Sequence, residues 1–305
     1  MEAKETETTP TFVVRCRDRV LDCTPGLSSG ALVMGILNVT PDSFSDGGKY
    51  MSPDAALSRA EEMVEQGVDI IDVGGESSRP TGKTYGEGAR PITPHEEMRR
   101  VAPVIKGIVT RFPSVLVSVD TYKPDVAKTA MEAGAHMIND ITGLRYSSDI
   151  AQVAADAGAA LIVMHSVGTP GALPHDTEHK NVIDTVTRSL TESMTRAKEA
   201  GATEIILDPG FGFGKSVVDN LRLIRNLDQL SSLHRPLLLG ISRKSTIATV
   251  LGGEDNPPPP EERLFGTLGA TVVAVMRGAS IIRTHDIRQT VETLKVVAAI
   301  TQAGE

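Results

Sequence analysis

Cysteine is nearly absent: Cys16 and Cys23 are the only two, too few for a disulfide framework, and no Cys or His pair has zinc-finger spacing. Both read as structural thiols. No apolar run approaches the roughly 18 residues of a membrane span. Met1 to Pro10 is acidic and polar, unlike a secretory signal, so a cytoplasmic protein with no membrane partner is expected. Positive charge is also scarce, with 31 Lys plus Arg against 39 Asp plus Glu and a net charge of −8. That balance excludes broad electrostatic capture of nucleic acid or anionic lipid and leaves room for a local basic pocket. Tryptophan is missing and aromatic residues total 3%, yet 40% hydrophobic and 23% charged residues keep the chain in the globular range.

What is present is a repeat. Short β-branched runs alternate with amphipathic stretches, and each run ends in a polar residue or glycine, the pattern of parallel βαβ units. The runs are 31–37, 70–73, 116–119, 137–138, 161–164, 205–207, 237–239 and 281–283. Helical patterns follow at 53–65, 94–109, 124–133, 150–157, 182–200, 217–226, 262–276 and 287–299. Ser52 before Pro53 and Thr93 before Pro94 read as caps, and glycine closes several helices, Gly158 among them. Eight strands and eight helices over most of 305 residues suit a single (β/α)8 TIM barrel better than an open doubly wound sheet. Residues 1–10 read as a flexible tail and 11–305 as one domain. Within it, 12–23 reads as a β-hairpin capping the barrel bottom. Thr81–Ile92 is a glycine-rich irregular loop, and the proline run in 252–260 reads as a spacer.

In such a barrel the carboxyl ends of the strands and the following loops build the active site. Read in order, they present Asn38, Gly74-Gly75-Glu76, Asp120, Asn139-Asp140, His165, Asp208, Ser242-Arg243-Lys244, and Arg283 with His285. Singly, each has a bland reading as a helix cap or turn former. Together they describe two subsites. Asp120, Asn139 and Asp208 can accept from the N–H groups of a flat nitrogen heterocycle, with Lys244 donating to its carbonyl or ring nitrogen. Arg283 and His285, two apart on one strand, form an anion site for a diphosphate, with Asn38 as ligand to a divalent cation on the same phosphates. The alternative for this pair is an ion pair from Arg283 to a helix carboxylate and a cap from His285. The glycines of 210–214 lack the Walker spacing, which rejects a P-loop; they read either as a backbone approach to a flat ligand lined by Phe213 or as a packing turn.

At these residues the chain resembles the dihydropteroate synthases, folate-pathway members of the pterin-binding TIM barrels. The matching segments are MGILNVTPDSFSDGG at Met34–Gly48, DIIDVGGESSRP at Asp69–Pro80, Ser118–Thr121, Ile138–Asp140, LDPGFGFGK at Leu207–Lys215, Ser242–Ser245 and Arg283–Asp286. They run in family order over nearly the whole chain. The resemblance implies condensation of 6-hydroxymethyl-7,8-dihydropterin diphosphate with para-aminobenzoate by a dissociative displacement, releasing diphosphate and 7,8-dihydropteroate. It implies Mg2+, usually a homodimer, and a sulfonamide target. By motif, Asp120, Asn139, Asp208 and Lys244 would hold the pterin; Asn38, Ser78, Arg283 and His285 would hold the diphosphate, with Asn38 on the metal. Phe44, Ser78, Arg79, Pro80, Phe213 and Ser242 would form the para-aminobenzoate pocket, with Lys244, Arg79 and Asp46 as catalytic residues and the first two loops, which carry Arg79 and Asp46, mobile.

Three departures stand out. Position 78 is Ser where the family usually has Thr, the chain is several residues longer between Pro80 and Glu96, and His165-Ser166 replaces the usual continuation with Met-Arg after the histidine. Two rival readings remain at this level: a methyltetrahydrofolate-binding domain, which needs no diphosphate site, and a catalytically silent pterin-binding paralogue.

Overall fold

Each of the eight β-branched runs forms a parallel strand in the computed structural model, which describes residues 11–25, 30–40, 52–77, 91–168 and 177–303. A hairpin of β1 (Val13–Cys16) and β2 (Arg19–Asp22) precedes the barrel strands β3 (Leu32–Asn38), β4 (Ile70–Gly74), β5 (Leu116–Asp120), β6 (Met137–Asp140), β7 (Ala160–Met164), β8 (Ile205–Asp208), β9 (Leu237–Gly240) and β10 (Ala279–Thr284). These close in chain order, with β10 pairing back onto β3. The surrounding helices are α1 (Pro53–Glu65), α2 (Pro94–Arg111), α3 (Pro124–Glu132), α4 (Asp149–Ala157), α5 (Val182–Glu199), α6 (Val217–Arg225), α7 (Ser245–Gly252), α8 (Leu264–Met276) and α9 (Ile287–Gln302). The architecture is a TIM barrel, as the repeat predicts.

Local chemistry sets the helix ends. Ser52 Oγ accepts from the Ala55 N–H at 3.2 Å and Thr93 Oγ1 from Glu96 N–H at 3.3 Å, each directly before a proline whose missing N–H costs nothing at that position. Gly158 ends α4 at φ +62°, a left-handed conformation that a Cβ would disfavour.

One helix is additional. Ser245–Gly252 is mostly apolar and β-branched, so it shows no polar stripe in sequence, and packing decides its conformation: Thr246, Ile247 and Ala248 are buried. The helix expected from 262 starts instead at Leu264, after a tight turn at Pro260–Arg263. The proline spacer is held by Arg263, whose Nε donates to Pro258 O at 2.8 Å.

The hairpin closes the barrel bottom. Val14, Cys16, Leu21 and Cys23 join Met34, Ile70, Leu116, Met137, Ile162, Ile206, Leu238 and Ile281 in one buried cluster. Burying the larger of these side chains stabilises by about 1.5–3 kcal/mol each. Arg17 Nη1 donates to Met131 O and Ala135 O, both at 3.0 Å, and Arg19 to Pro113 O, so these arginines fasten the hairpin to the ends of α3 and α2. Cys16 and Cys23 are free, and burial pushes the Cys16 thiol up to about 12, in keeping with structural thiols. Among the described residues no helix is long and apolar enough to cross a membrane. The expected tail, 1–10, lies outside the described residues.

Candidate active site

Strand register puts the polar residues in a row. Asn38 on β3 pairs in register with Gly74 on β4, Gly74 with Asp120 on β5, and Asp120 with Asn139 on β6. Gly74 is the gap in that row. A Cβ there would stand 3.3 Å from Asn38 Oδ1 and 3.7 Å from Asp120 Cβ, so glycine leaves the two polar side chains facing a common space. Tyr122, Ile141, Met164 and Phe213 form an apolar cluster beside this row.

Below the row lies a carboxylate that the strand-end reading misses. Asp72, fully buried, accepts at one oxygen, Oδ2, from Arg283 Nε at 2.7 Å and from Asn139 Nδ2 at 2.9 Å. Arg283 Nη2 donates to Asp120 Oδ2 at 2.8 Å. Arg283 is thus ion-paired inside the barrel mouth, and its partners are strand carboxylates rather than a helix carboxylate. Burial raises the Asp120 carboxyl to about 7, opposed by Arg283 and reinforced by Asp72. The signal for Asp72 was available: an acid in the middle of Ile70–Gly74, two residues from each inward neighbour, needs a buried partner.

The opposite wall carries Asp208 and Lys244. Asp208 Oδ1 accepts from Gly210 N–H at 2.7 Å, and burial raises its carboxyl against the pull of Lys244. Lys244 Nζ donates to Phe211 O and lies 4.4 Å from the centroid of the Phe213 ring. Burial lowers its pKa to about 7, partly offset by Asp208. Ser242 Oγ accepts the His285 N–H at 3.2 Å and lies 3.0 Å from His285 Nδ1. Burial, with Arg283 and Arg243 nearby, holds His285 down at about 4, so near pH 7 the fixed positive charge beside it rests on Arg283. Arg243 is spent on Asp286, binding the β9 and β10 loops together.

Other strand-end groups build loops. Asp140 is fully buried and accepts from Thr142 N–H, Thr142 Oγ1–H and Leu144 N–H. Glu76 accepts from Tyr122 Oη at 2.6 Å, Lys123 Nζ at 2.7 Å and Ile92 N–H at 2.8 Å. Phe44, Asp46, Ser78, Arg79 and Pro80 lie outside the described residues, as does most of the Thr81–Ile92 loop. Among the described residues no group of three or more His, Cys, Asp or Glu side chains could hold a metal ion.

This set of residues has relatives. Residues 34–285 match the family model described as pterin binding enzyme. The chain is 43% identical to dihydropteroate synthase of Escherichia coli strain K12 over 275 residues, covering 90% of this chain and 93% of that one. It is 45% identical to the Bacillus subtilis strain 168 enzyme over 276 residues, 90% of each. The Xanthomonas albilineans dihydropteroate synthase solved with 4-aminobenzoic acid superposes with a TM-score of 0.82 at 39% identity, covering 97% of this chain and 99% of that one. The chain belongs to the dihydropteroate synthase family.

Two further residues of this dihydropteroate synthase-family site escaped the sequence reading of roles. Lys215 Nζ lies 2.8 Å from His165 Nδ1 and donates to Gly210 O at 2.8 Å and Phe213 O at 3.2 Å. Both side chains are buried, and burial lowers both pKa values, that of Lys215 to about 7. They shape the glycine loop that carries Phe213. The doubled lysine environment, Lys215 and Lys244 flanking one loop, was the available clue.

Proposed function

We propose that the chain condenses 6-hydroxymethyl-7,8-dihydropterin diphosphate with para-aminobenzoate, forming a C–N bond and breaking the C–O bond to diphosphate. The observation that carries this reading is the convergence of Asp120, Asn139, Asp208 and Lys244 on one barrel mouth beside Arg283 and His285. Asn139 gives its amide N–H to Asp72, so its Oδ1 is the end that accepts from the pterin. Asp120 and Asp208 accept from further ring N–H groups, and Lys244 donates to the pterin carbonyl or ring nitrogen. Arg283 and His285 bind the diphosphate as the C–O bond breaks early, so leaving-group charge meets fixed donors. Phe213 and Ser242 line the para-aminobenzoate side. The amine nitrogen attacks without prior deprotonation and sheds its proton after the C–N bond forms. Arg79, Asp46, Ser78, Phe44 and Pro80 enter this reading by motif.

Asn38 is an exposed oxygen ligand at the end of β3. A single amide oxygen fits Mg2+ that arrives on the diphosphate and keeps its waters, and does not fit a resident metal held by protein alone. Such an ion neutralises phosphate charge. A homodimer through α7, α8 and α9 belongs to the same reading, supported by exposed Leu251, Phe265, Met276, Val296 and Ile300 on those helices. Free buried thiols support a cytoplasmic location. Sulfonamides, as mimics of para-aminobenzoate, are expected to compete for its pocket. The diphosphate donors favour this reading over a methyltetrahydrofolate-binding domain.

Label transfer tests it: isotopically labelled para-aminobenzoate, purified protein, pterin diphosphate and Mg2+ should yield labelled dihydropteroate. Labelled amine recovered unchanged would reject the activity.

A further inference from the structure

We infer that Asp72 is a positioning residue shared by the two halves of the pterin diphosphate site, setting Arg283 for the diphosphate and Asn139 for the pterin through a single carboxylate oxygen. This rests on the function proposed above. Asp72 Oδ2 takes both bonds, from Arg283 Nε at 2.7 Å and Asn139 Nδ2 at 2.9 Å. Its other oxygen, Oδ1, is buried and has no hydrogen-bond partner among the described residues, so all of the directional bonding of this carboxylate goes to those two side chains. Asp72 itself is fully buried within β4, two residues before Gly74, which stands in the row with Asp120 and Asn139.

The geometry has two consequences. Nε–H and one Nη2–H share a side edge of the Arg283 guanidinium, so holding Nε on Asp72 and Nη2 on Asp120 at 2.8 Å fixes the plane of the group and leaves the Nη1 hydrogens and the other Nη2 hydrogen for the ligand. Holding Asn139 by Nδ2 fixes which end of the amide accepts. A buried charge with two bonds on one oxygen ties the orientations of both groups together, so the pterin acceptor and the diphosphate donor keep a fixed spacing across the bond that breaks.

Double-mutant cycles test this. In Asp72→Asn, affinities for 6-hydroxymethylpterin and for inorganic diphosphate, each titrated calorimetrically, should both fall at least fivefold, with the KM for para-aminobenzoate unchanged within twofold. The diphosphate loss should vanish in an Arg283→Ala background, and the pterin loss in an Asn139→Ala background. A merely structural defect would lower binding stoichiometry instead of affinity. Additive losses, or unchanged affinities, overturn the proposal. If Asp72→Asn does not fold, the wild-type protein crystallised with pterin and diphosphate decides: Arg283 Nε and Asn139 Nδ2 both still on Asp72 supports it, and departure of either overturns it. Wild-type protein that binds neither ligand overturns the functional reading and this inference with it, whereas wild-type turnover with additive losses overturns this inference alone.

Discussion

The Lys215 Nζ lies 2.8 Å from Nδ1 of a buried His165, and the same nitrogen holds the carbonyls of Gly210 and Phe213. Three acceptors surround a group with three hydrogens, the arrangement an ammonium requires. Lys215→Met keeps the stem and strands His165 Nδ1 and Phe213 O, while Gly210 O keeps its bond from the Phe213 N–H at 3.1 Å. It should cost about 2 kcal/mol or more in urea unfolding, since each buried group left unpaired costs about 1–3 kcal/mol. The KM for pterin diphosphate should rise as the loop loosens. A variant as stable as the wild type would remove the clamp from the account.

Gly212 sits at φ +79°, and a Cβ there would stand 2.7 Å from Lys244 Cδ. Gly212→Ala should therefore displace Lys244, the proposed donor to the pterin, lowering pterin affinity by about tenfold, the scale of one lost charged hydrogen bond. Fluorescence titration with a pterin reads this. Undiminished affinity would mean that Lys244 does not act from its observed position.

Asp120 and Lys244 both titrate near pH 7, one raised and the other lowered by burial. On the proposed function, pterin binding uses the Asp120 carboxylate and the Lys244 ammonium, so affinity should fall on both sides of about pH 7, the acid limb belonging to Asp120. Asp120→Asn should weaken pterin and remove the acid limb. In the ligand-free protein the Asp120 pKa is raised on folding. Its stabilising contribution is complete below the unfolded value of about 4 and is lost as pH rises through about 7. The stability of wild type relative to Asp120→Asn should decline over that window when followed by thermal unfolding.

Arg283→Ala should weaken pterin diphosphate at least tenfold more than free pterin, because the diphosphate alone carries the anion. It also leaves the fully buried Asp72 without its counter-charge, and breaking such a pair typically costs 3–5 kcal/mol. Melting curves should show that loss and its partial recovery in Arg283→Ala with Asp72→Asn. Equal losses for the two ligands would take Arg283 out of the diphosphate site.

The barrel was legible because every strand repeats one grammar, an apolar run ending in a polar group, and Asp120, Asn139 and Asp208 stand at those ends. The role of Asp72 was not, since it depends on which residues register brings across from β6 and β10. The neutral state of His285 was equally hidden, because burial and two arginines set it rather than residue type. Ser245–Gly252 lacked an amphipathic stripe and so went unread as a helix. Lys215 was noticed as the end of a glycine-rich segment, but its three acceptors come from the folded loop and from β7's successor, His165.

Diphosphate release is the most direct test of the central claim. Purified protein with Mg2+ and pterin diphosphate should release diphosphate in step with dihydropteroate when para-aminobenzoate is added, and far more slowly without it. Tight binding of pterin diphosphate with no amine-dependent release would contradict the account and identify a silent pterin-binding protein.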